Sequence, residues 1–329
     1  MFTTLRRFSP WLLLITWLSA AGAQEKSSAP RKLEPVTLGL SAKHVLNLPI
    51  YLAQRQGIFE SEGFDYKPIT TKTNTAIAAL VSGDLDFITA FNSGLGAAIG
   101  GAPLIATYVA TEKPLLYLIS RPDIKDAKTL RGEIIGHGGT RGSHYHATVA
   151  MVKYLGLDAE KDVKLISTID VTQGMTALFS GSVAATTLSP PYDSIAVRKG
   201  YNRLVLGPEI LPRFVENGLV MRRVKLRDNP DQVRRFLRAM IRGLYYAFDH
   251  PSEAVGLIQK EWNLDRETAQ TAYDAAMPTY NSRGEVSDEL IAASIKRAQQ
   301  DAKIAQSNFA PKDFVDWSIV RAIQREVKR

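Results

Sequence analysis

The chain of 329 residues contains no cysteine. This absence excludes disulfide bonds, iron–sulfur clusters, thiolate metal sites and a cysteine nucleophile. It also removes the residue to which a bacterial lipoprotein attaches its lipid. The fold must therefore be held together by an ordinary hydrophobic core, which the 45% of hydrophobic residues can supply.

Long apolar runs are scarce as well. The apolar run near the start, Trp11 to Ala21, is too short to span a bilayer and follows Arg6 and Arg7. Together with the small residues up to Ala23, it predicts a signal peptide over residues 1–23, with a retained membrane anchor as the alternative. Residues 24–35 are polar, with two serines and two prolines, and are predicted to form a tether.

The common catalytic motifs are absent from the sequence. We find no Gly-x-Ser-x-Gly, no His-Glu-x-x-His and no phosphate-binding loop that ends in Gly-Lys-Ser/Thr. The net charge is +8, of which the leader contributes two charges, so an anionic partner is expected. Nucleic acid is not the predicted partner, because there is no dense basic run and no recognisable reading module.

From Val36 onward, strand-like and helix-like segments alternate. They include a helix capped by Asn74, a strand over residues 87–91, and helices over residues 171–179 and 311–325. The pattern predicts an α/β fold with two sets of strands and helices followed by a helical tail, and the strands within residues 36–91 are expected to be parallel. Residues 36–114 and 217–329 are predicted to form lobe 1, and residues 115–216 to form lobe 2. The chain would cross between the lobes twice, near residues 114–120 (the first crossing) and 213–220 (the second crossing), which predicts a hinge and closure around a ligand.

Polar residues follow the predicted strands, where the sheets of α/β proteins commonly bind ligands. In several of these segments a helix begins directly afterwards, and free N–H groups at a helix start attract anions. The candidate ligand-binding residues are Lys43, His44, Asn92, Ser93, Thr140, Arg141, Gly142, Ser143, His144, Tyr192 and Asp193.

Each candidate also has a purely structural interpretation. Lys43 and His44 would lie in a solvated loop, the turn before Ser143 would only reverse the chain, and Tyr192 would only start a helix. A metal site is not predicted. His144 and His146 are two residues apart in a predicted helix, so they point to different faces and cannot chelate together. The sequence leaves the structural and ligand-binding interpretations open.

The leader and three internal stretches resemble the periplasmic substrate-binding proteins of ABC transporters, in the nitrate/sulfonate/taurine and thiamin-pyrimidine subgroup. The internal stretches are residues 57–64 (GIFESEGF), 79–87 (ALVSGDLDF) and 130–136 (LRGEIIG). The resemblance covers nearly all of the chain after the leader. The subgroup includes enzymes of thiamin-pyrimidine synthesis with a cysteine-rich motif, and this cysteine-free chain departs from that branch.

The resemblance implies a type II-like, two-lobe periplasmic binding protein with a hinge and a cleft between the lobes. It implies a monomeric periplasmic protein that needs no cofactor and delivers a small molecule to an inner-membrane ABC permease. We expect an organic anion such as a sulfonate or carboxylate, with an aromatic ring near Tyr192 if it has one. The alternatives are an exported enzyme that acts on a related molecule and a sensor module that presents its ligand to a receptor.

Overall fold

A computed structural model describes Met1 and residues 32–40, 43–139, 142–168, 170–302 and 308–327. The chain divides into Met1–Lys32 and a second unit, Leu33–Arg329. The predicted signal peptide beyond Met1 and residues 24–31 of the predicted tether lie outside the described residues. The tether prediction ends too late, because the first strand already begins at Glu34 and pairs with Phe64.

The strands of the second unit form two five-stranded sheets. Sheet A has the order β2-β1-β3-β10-β4, and sheet B has the order β7-β6-β8-β5-β9. The strands are β1 (Glu34–Leu40), β2 (Phe64–Thr70), β3 (Phe87–Ile88), β4 (Leu104–Thr111), β5 (Tyr117–Ser120), β6 (Ile134–Gly138), β7 (Lys164–Thr168), β8 (Ala185–Leu188), β9 (Asn202–Leu206) and β10 (Asn217–Arg222).

Helices connect and cover the two sheets. They are α1 (Leu48–Arg55), α2 (Ile58–Ser61), α3 (Thr73–Ser82), α4 (Phe91–Ile99), α5 (Ala127–Leu130), α6 (Ser143–Tyr154), α7 (Val171–Phe179), α8 (Tyr192–Arg198), α9 (Gly207–Ile210), α10 (Arg223–Asp228), α11 (Pro230–Asp249), α12 (Pro251–Trp262), α13 (Arg266–Ala276), α14 (Asp288–Ala302) and α15 (Ser318–Glu326). Among the described residues, the structure contains no helix with the length and hydropathy needed to cross a bilayer.

Both sheets are mixed. The strands within residues 36–91 are parallel, as predicted, because β1 pairs in parallel with both β2 and β3. Strand β10 runs antiparallel to β3 and β4, and β5 runs antiparallel to β8 and β9. These two strands directly follow the two segments that cross between the sheets. A strand that enters a sheet after such a crossing is not joined to its neighbours by a βαβ unit, so it is free to run in the opposite direction.

Some predicted element limits also differ from the structure. The strand predicted over residues 87–91 ends at Ile88, and Phe91 already begins α4. The helix predicted to be capped by Asn74 begins at Thr73. The single helix predicted over residues 311–325 is instead a short 3₁₀ turn followed by α15. Helix α7 has the predicted limits, Val171–Phe179.

Three hydrophobic cores stabilise the second unit. Sheet A packs with residues of α11, α14 and α15 in one core, and sheet B packs with residues of α6 in another. In the third core, Ala254 of α12 and Ala272 of α13 lie with Leu52 of α1 and with Tyr117 and Leu188 of sheet B. The α12–α13 pair therefore packs against both lobes, whereas the sequence analysis placed the whole tail on lobe 1.

The spacing of four basic residues in α11 predicts a solvated basic stripe, but in the structure all four pair with carboxylates: Arg234, Arg235, Arg238 and Arg242. Arg238 and Arg242 both donate to the carboxylate of Glu62, whose side chain is only 6% exposed. Burial raises the pKa of Glu62, but the hydrogen bonds from the two arginines outweigh it and hold the pKa below its usual value. Two basic residues of α11 are therefore used to join this helix to the end of α2.

Candidate functional site

A cleft with a volume of about 850 Å³ is lined by residues of both lobes. This volume lies within the range of sites that hold organic ligands. Lobe 1 contributes the segment around His44 and the starts of α3 and α4, together with Arg297 of α14. Lobe 2 contributes Gly138, Gly139 and the starts of α6 and α7, and the second crossing adds Glu216.

Three helices begin at this cleft without a side-chain cap. They are α3, α4 and α6, of ten, nine and twelve residues, and their N-cap residues are Lys72, Ala90 and Gly142. Backbone N–H groups in the first turn of a helix lack partners within the helix and carry a partial positive charge. The starts of these three helices are therefore suited to an anion.

The fourth helix that begins at the cleft, α7, is capped. Asp170 accepts a hydrogen bond from the backbone N–H of Gln173 at 2.9 Å. The Asp170 carboxylate thereby occupies the place that an external anion takes at the other helix starts. Helix α7 contributes less to an anion site than α3, α4 and α6.

Three titratable side chains come together in the cleft. His44 follows β1, His144 lies in the first turn of α6, and Glu216 directly precedes β10. One potential ligand atom from each residue lies within 4.8 Å of the other two. We call these residues the central trio.

All three pKa values in the central trio shift toward the uncharged form. Burial, with a smaller contribution from the nearby His144, lowers the pKa of His44 to about 3. Burial and the nearby His137 lower the pKa of His144 to about 4, against a hydrogen bond to the backbone of Thr187. Burial raises the pKa of Glu216 to about 7, while a hydrogen bond from the Leu115 N–H acts in the opposite direction.

The central trio has the residue types of a metal site, but His44 fits a metal poorly. Its Nδ1 accepts a hydrogen bond from the backbone N–H of Leu46 at 3.0 Å. In the neutral ring the proton is therefore on Nε2, which leaves no free lone pair for a metal ion. A histidine that binds a metal ordinarily donates from its second nitrogen, which is the reverse of this arrangement.

Among the residues that the structure describes, a lysine and an arginine also line the cleft. Lys72 is exposed at the start of α3, and Arg297 lies on α14. The Arg297 guanidinium carbon is 5.4 Å from the centre of the Phe214 ring, which belongs to the second crossing. Arg297 therefore links lobe 1 to the crossing segment while it faces the cleft.

The structure brings several predicted residues together in the cleft. His44, Asn92, Ser93, Gly142, Ser143 and His144 all line it. The amide nitrogen of Asn92 also donates to the Val215 carbonyl at 2.6 Å, so this side chain contacts the second crossing. Thr140 and Arg141 lie outside the described residues. The ligand-binding role of all eight residues stays a prediction.

Lys43, Tyr192 and Asp193 are not among the residues that line the cleft. Lys43 pairs with Glu261 of α12 at 2.8 Å, and the Tyr192 hydroxyl donates to the Lys43 carbonyl at 3.0 Å. Asp193 is 1% exposed and pairs with Arg203. Burial raises the pKa of Asp193, and the Arg203 guanidinium opposes this effect. The contacts of these three residues are with other parts of the protein.

Sequence patterns did not identify four residues of the cleft lining: Lys72, Asp170, Glu216 and Arg297. Glu216 lies within the predicted second crossing, and this place near the predicted hinge is the sequence signal that could have identified it as a cleft residue. Arg297 lies in the helical tail, more than 50 residues from the other missed residues. No local pattern indicates that α14 reaches the cleft, because that contact depends on how the tail folds back.

A family model described as "NMT1/THI5 like" matches residues 46–254. The riboflavin-binding protein RibY of Chloroflexus aurantiacus is 28% identical over 75% of this chain and 74% of its own length. A putative aliphatic sulfonates-binding protein of Bacillus subtilis is 22% identical over 95% of both chains.

Solved structures share the fold at low sequence identity. The alkanesulfonate-binding protein SsuA from Xanthomonas axonopodis pv. citri, bound to MOPS, has a TM-score of 0.71 at 14% identity and covers 86% of this chain and 98% of its own. The desulfurization enzyme DSZB has a TM-score of 0.65, also at 14% identity, and covers 89% of this chain and 99% of its own. Because binding proteins and an enzyme share this fold, the fold alone does not decide between them.

The family match extends over well over half of the chain and includes residues of both sheets. It agrees with the resemblance drawn from the sequence, and the relatives that cover most of the chain are named as binding proteins. The fold class predicted from the sequence is confirmed as an α/β, two-lobe architecture. This protein belongs to the NMT1/THI5-like family and has the fold of a two-lobe solute-binding protein.

Proposed function

We propose that this protein is the periplasmic solute-binding component of an ABC importer. It binds a small organic anion, such as a sulfonate or carboxylate, in the interlobe cleft. Closure of the two lobes holds the ligand, and opening releases it to an inner-membrane permease without making or breaking a bond. The protein acts as a monomer. Residues 1–23 direct its export as a signal peptide and are then cleaved off.

The observation that carries this proposal is the meeting of three uncapped helix starts at one cleft. Helices α3 and α4 of lobe 1 and α6 of lobe 2 direct their first turns toward the same volume. An anion bound between them would contact both lobes at once. The anion therefore binds more tightly to the closed form, because only this form places N–H donors of both lobes around it.

The charged residues of the cleft support an anion as well. Lys72 and Arg297 supply positive charge to the lining. Asp170 is engaged at the start of α7, and burial raises the pKa of Glu216 to about 7, so this carboxyl is partly protonated at neutral pH and uncharged at lower pH. These two acidic residues therefore repel a bound anion less strongly than two free carboxylates would.

The names of the two relatives support a small organic ligand, but the ligands that they name differ in charge. One is named for aliphatic sulfonates, which are anions, and the other for riboflavin, which is uncharged. The three helix starts and the two cations favour the anion. The cleft volume of about 850 Å³ leaves room for an organic group beyond the anionic one.

A ligand panel tests the proposal. Purified protein, unfolded and refolded to remove any bound ligand, is mixed with alkanesulfonates, taurine, carboxylates, nitrate, pyrimidines and riboflavin. We expect at least one organic anion to raise the melting temperature by about 5 °C or more at saturating concentration. Calorimetry should give one site per chain. A panel in which no compound binds would overturn the proposal.

Charge variants test the anionic part of the proposal. We expect Lys72→Gln and Arg297→Gln each to weaken binding of that anion about five- to tenfold, because each removes a cation from the lining. Lys153→Gln is the control, since Lys153 is an exposed cation at the end of α6, outside the cleft lining. Unchanged affinity in both cleft variants would contradict an anionic ligand.

A further inference from the structure

The central trio is not explained by binding of an anion. His44, His144 and Glu216 all line the cleft, yet none of them offers a positive charge near neutral pH. They come from lobe 1, lobe 2 and the second crossing respectively. A ligand group that contacts all three would therefore touch every part of the protein that moves during closure.

His44 is oriented as a hydrogen-bond donor. Because its Nδ1 accepts from the Leu46 N–H, its ring proton is on Nε2. The backbone N–H of His44 is also engaged, at 3.4 Å from the Tyr51 hydroxyl. The first turn after β1 therefore holds the His44 ring in place and leaves Nε2–H as its available donor.

His144 and Glu216 supply capacity to accept hydrogen bonds. Nδ1 of His144 is buried and has no hydrogen-bond partner. Glu216 is 7% exposed, and its Oε2 accepts only a long hydrogen bond of 3.4 Å from Leu115. A buried polar atom without a good partner costs roughly 1–3 kcal/mol, and a ligand that supplies the partner recovers this energy.

The neighbouring polar residues of the lining are uncharged. Thr89, on the sheet A side, and Asn217, which directly follows Glu216, face the same cleft. The causes of the Glu216 pKa shift are its burial and the Leu115 N–H, and neither Lys72 nor Arg297 contributes. Within the described residues, the cleft thus combines cations and helix starts with a separate set of uncharged hydrogen-bonding groups.

We propose that the central trio binds an uncharged polar group of the ligand in which a hydrogen-bond donor and an acceptor are adjacent, as in a cyclic amide or imide. The Nε2–H of His44 donates to the carbonyl oxygen of this group. Its N–H donates to Nδ1 of His144 or to the carboxyl oxygen of Glu216. This inference rests on the proposed function, because it adds a second recognition element to a ligand whose anionic group is held by the helix starts.

Matched ligand pairs test the proposal. Each pair keeps the anionic group and removes the ring N–H by methylation. The pairs are orotate with 1,3-dimethylorotate and oxindole-5-sulfonate with its N-methyl derivative, and simple alkanesulfonates serve as anions without an amide. We expect the N–H member of a pair to bind about tenfold more tightly or better, measured by calorimetry.

Variants show whether the trio is responsible for this preference. We expect whichever of His144→Phe and Glu216→Leu removes the acceptor of the N–H to reduce the ratio within a pair to about one, and a ratio unchanged in both variants would contradict the role of the trio. Glu216→Gln should keep the preference, because an amide offers a donor and an acceptor in the same place. His146→Gln, another histidine of the cleft lining, is the matched control and should leave the ratio unchanged.

The outcomes separate this inference from the proposed function. If alkanesulfonates bind and neither amide pair shows a preference for the N–H member, only this inference is overturned. If no anion binds at all, both the proposed function and this inference are overturned. Equilibrium dialysis that finds one zinc ion bound per chain, lost in Glu216→Leu, would assign the trio to a metal and overturn the inference.

Discussion

At the scale of single residues, Glu216 is the group whose environment departs most from what its position in the sequence suggests. A glutamate between two elements is ordinarily solvated and charged. Here it is 7% exposed, and the titratable side chains of the trio that face it, His44 and His144, are themselves held neutral. Its pKa is raised to about 7 because no nearby cation compensates its burial.

This shift predicts how stability depends on pH. The folded-state pKa of Glu216 is raised above the unfolded value, so the folded state holds a proton that the unfolded state has lost. Stability therefore falls as pH rises from about 4.5 to about 7 and then levels off. We expect Glu216→Gln to be more stable than the parent at pH 8, by roughly 2–3 kcal/mol, in ligand-free urea unfolding.

The same experiment at pH 4 is the control. There the carboxyl is protonated in both states, so the two proteins should agree to within about 0.5 kcal/mol. A stability difference that stays constant between pH 4 and pH 8 would contradict the burial argument. It would indicate a packing effect of the substitution instead.

At the same scale, adjacent residues have different roles. His44 lines the cleft, whereas the side chain of the preceding residue, Lys43, pairs with Glu261 of α12. The sequence predicted both as ligand contacts because both follow β1. Successive side chains in an extended segment point in different directions, so only one of the two faces the ligand space.

At the scale of secondary-structure elements, the contact between α1 and α11 is unusually close. A Cβ atom added to Gly243 of α11 would lie 2.3 Å from the Pro49 carbonyl oxygen and 2.8 Å from Cβ of Ala53. Glycine in the middle of a helix is normally unfavourable. Its presence here lets the two helices approach, which places α11 against the segment that carries His44.

A pair of substitutions tests this packing. We expect Gly243→Ala to destabilise the protein by roughly 1–3 kcal/mol, because the new methyl group meets backbone atoms that cannot move aside. Gly256→Ala in α12 is the matched control, since a Cβ atom there meets nothing within 4 Å. It should stabilise the protein by up to about 1 kcal/mol through helix propensity. Equal effects at the two sites would contradict the close approach.

At the scale of the whole molecule, Tyr192 joins parts of the chain that are distant in sequence. Its hydroxyl donates to the Lys43 carbonyl and accepts from Nε1 of Trp262 at 3.2 Å. Lys43 belongs to lobe 1, Tyr192 begins α8 beside sheet B, and Trp262 ends α12. These contacts lie outside the cleft and connect the two lobes through the α12–α13 pair.

Removal of this hydroxyl should weaken the connection. We expect Tyr192→Phe to lower the free energy of unfolding by about 1–2 kcal/mol, because two partly buried hydrogen bonds, to the Lys43 carbonyl and from Trp262, are lost. Tyr154→Phe is the control, since Tyr154 is 65% exposed and should change stability by less than about 0.5 kcal/mol. A Tyr192→Phe variant as stable as the parent would show that these hydrogen bonds are replaced by water.

The sequence by itself determined the α/β class, most of the helices and strands, and the family resemblance. These follow from local spacing: apolar residues recur with the period of a helix or a strand, and glycine and proline mark the ends. It also indicated that residues after β1, before α4 and before α6 lie near a cleft, because such segments sit at the edges of their sheets.

Only the tertiary structure decided which of these residues share the cleft. It brought His44, His144 and Glu216 to within 4.8 Å of one another from positions up to 172 residues apart in the chain. It also turned Lys43 and Tyr192 toward α12 and brought Arg297 of the tail to the cleft. The physical reason is that side-chain direction, burial and the resulting pKa values depend on packing between distant segments, which local spacing does not encode.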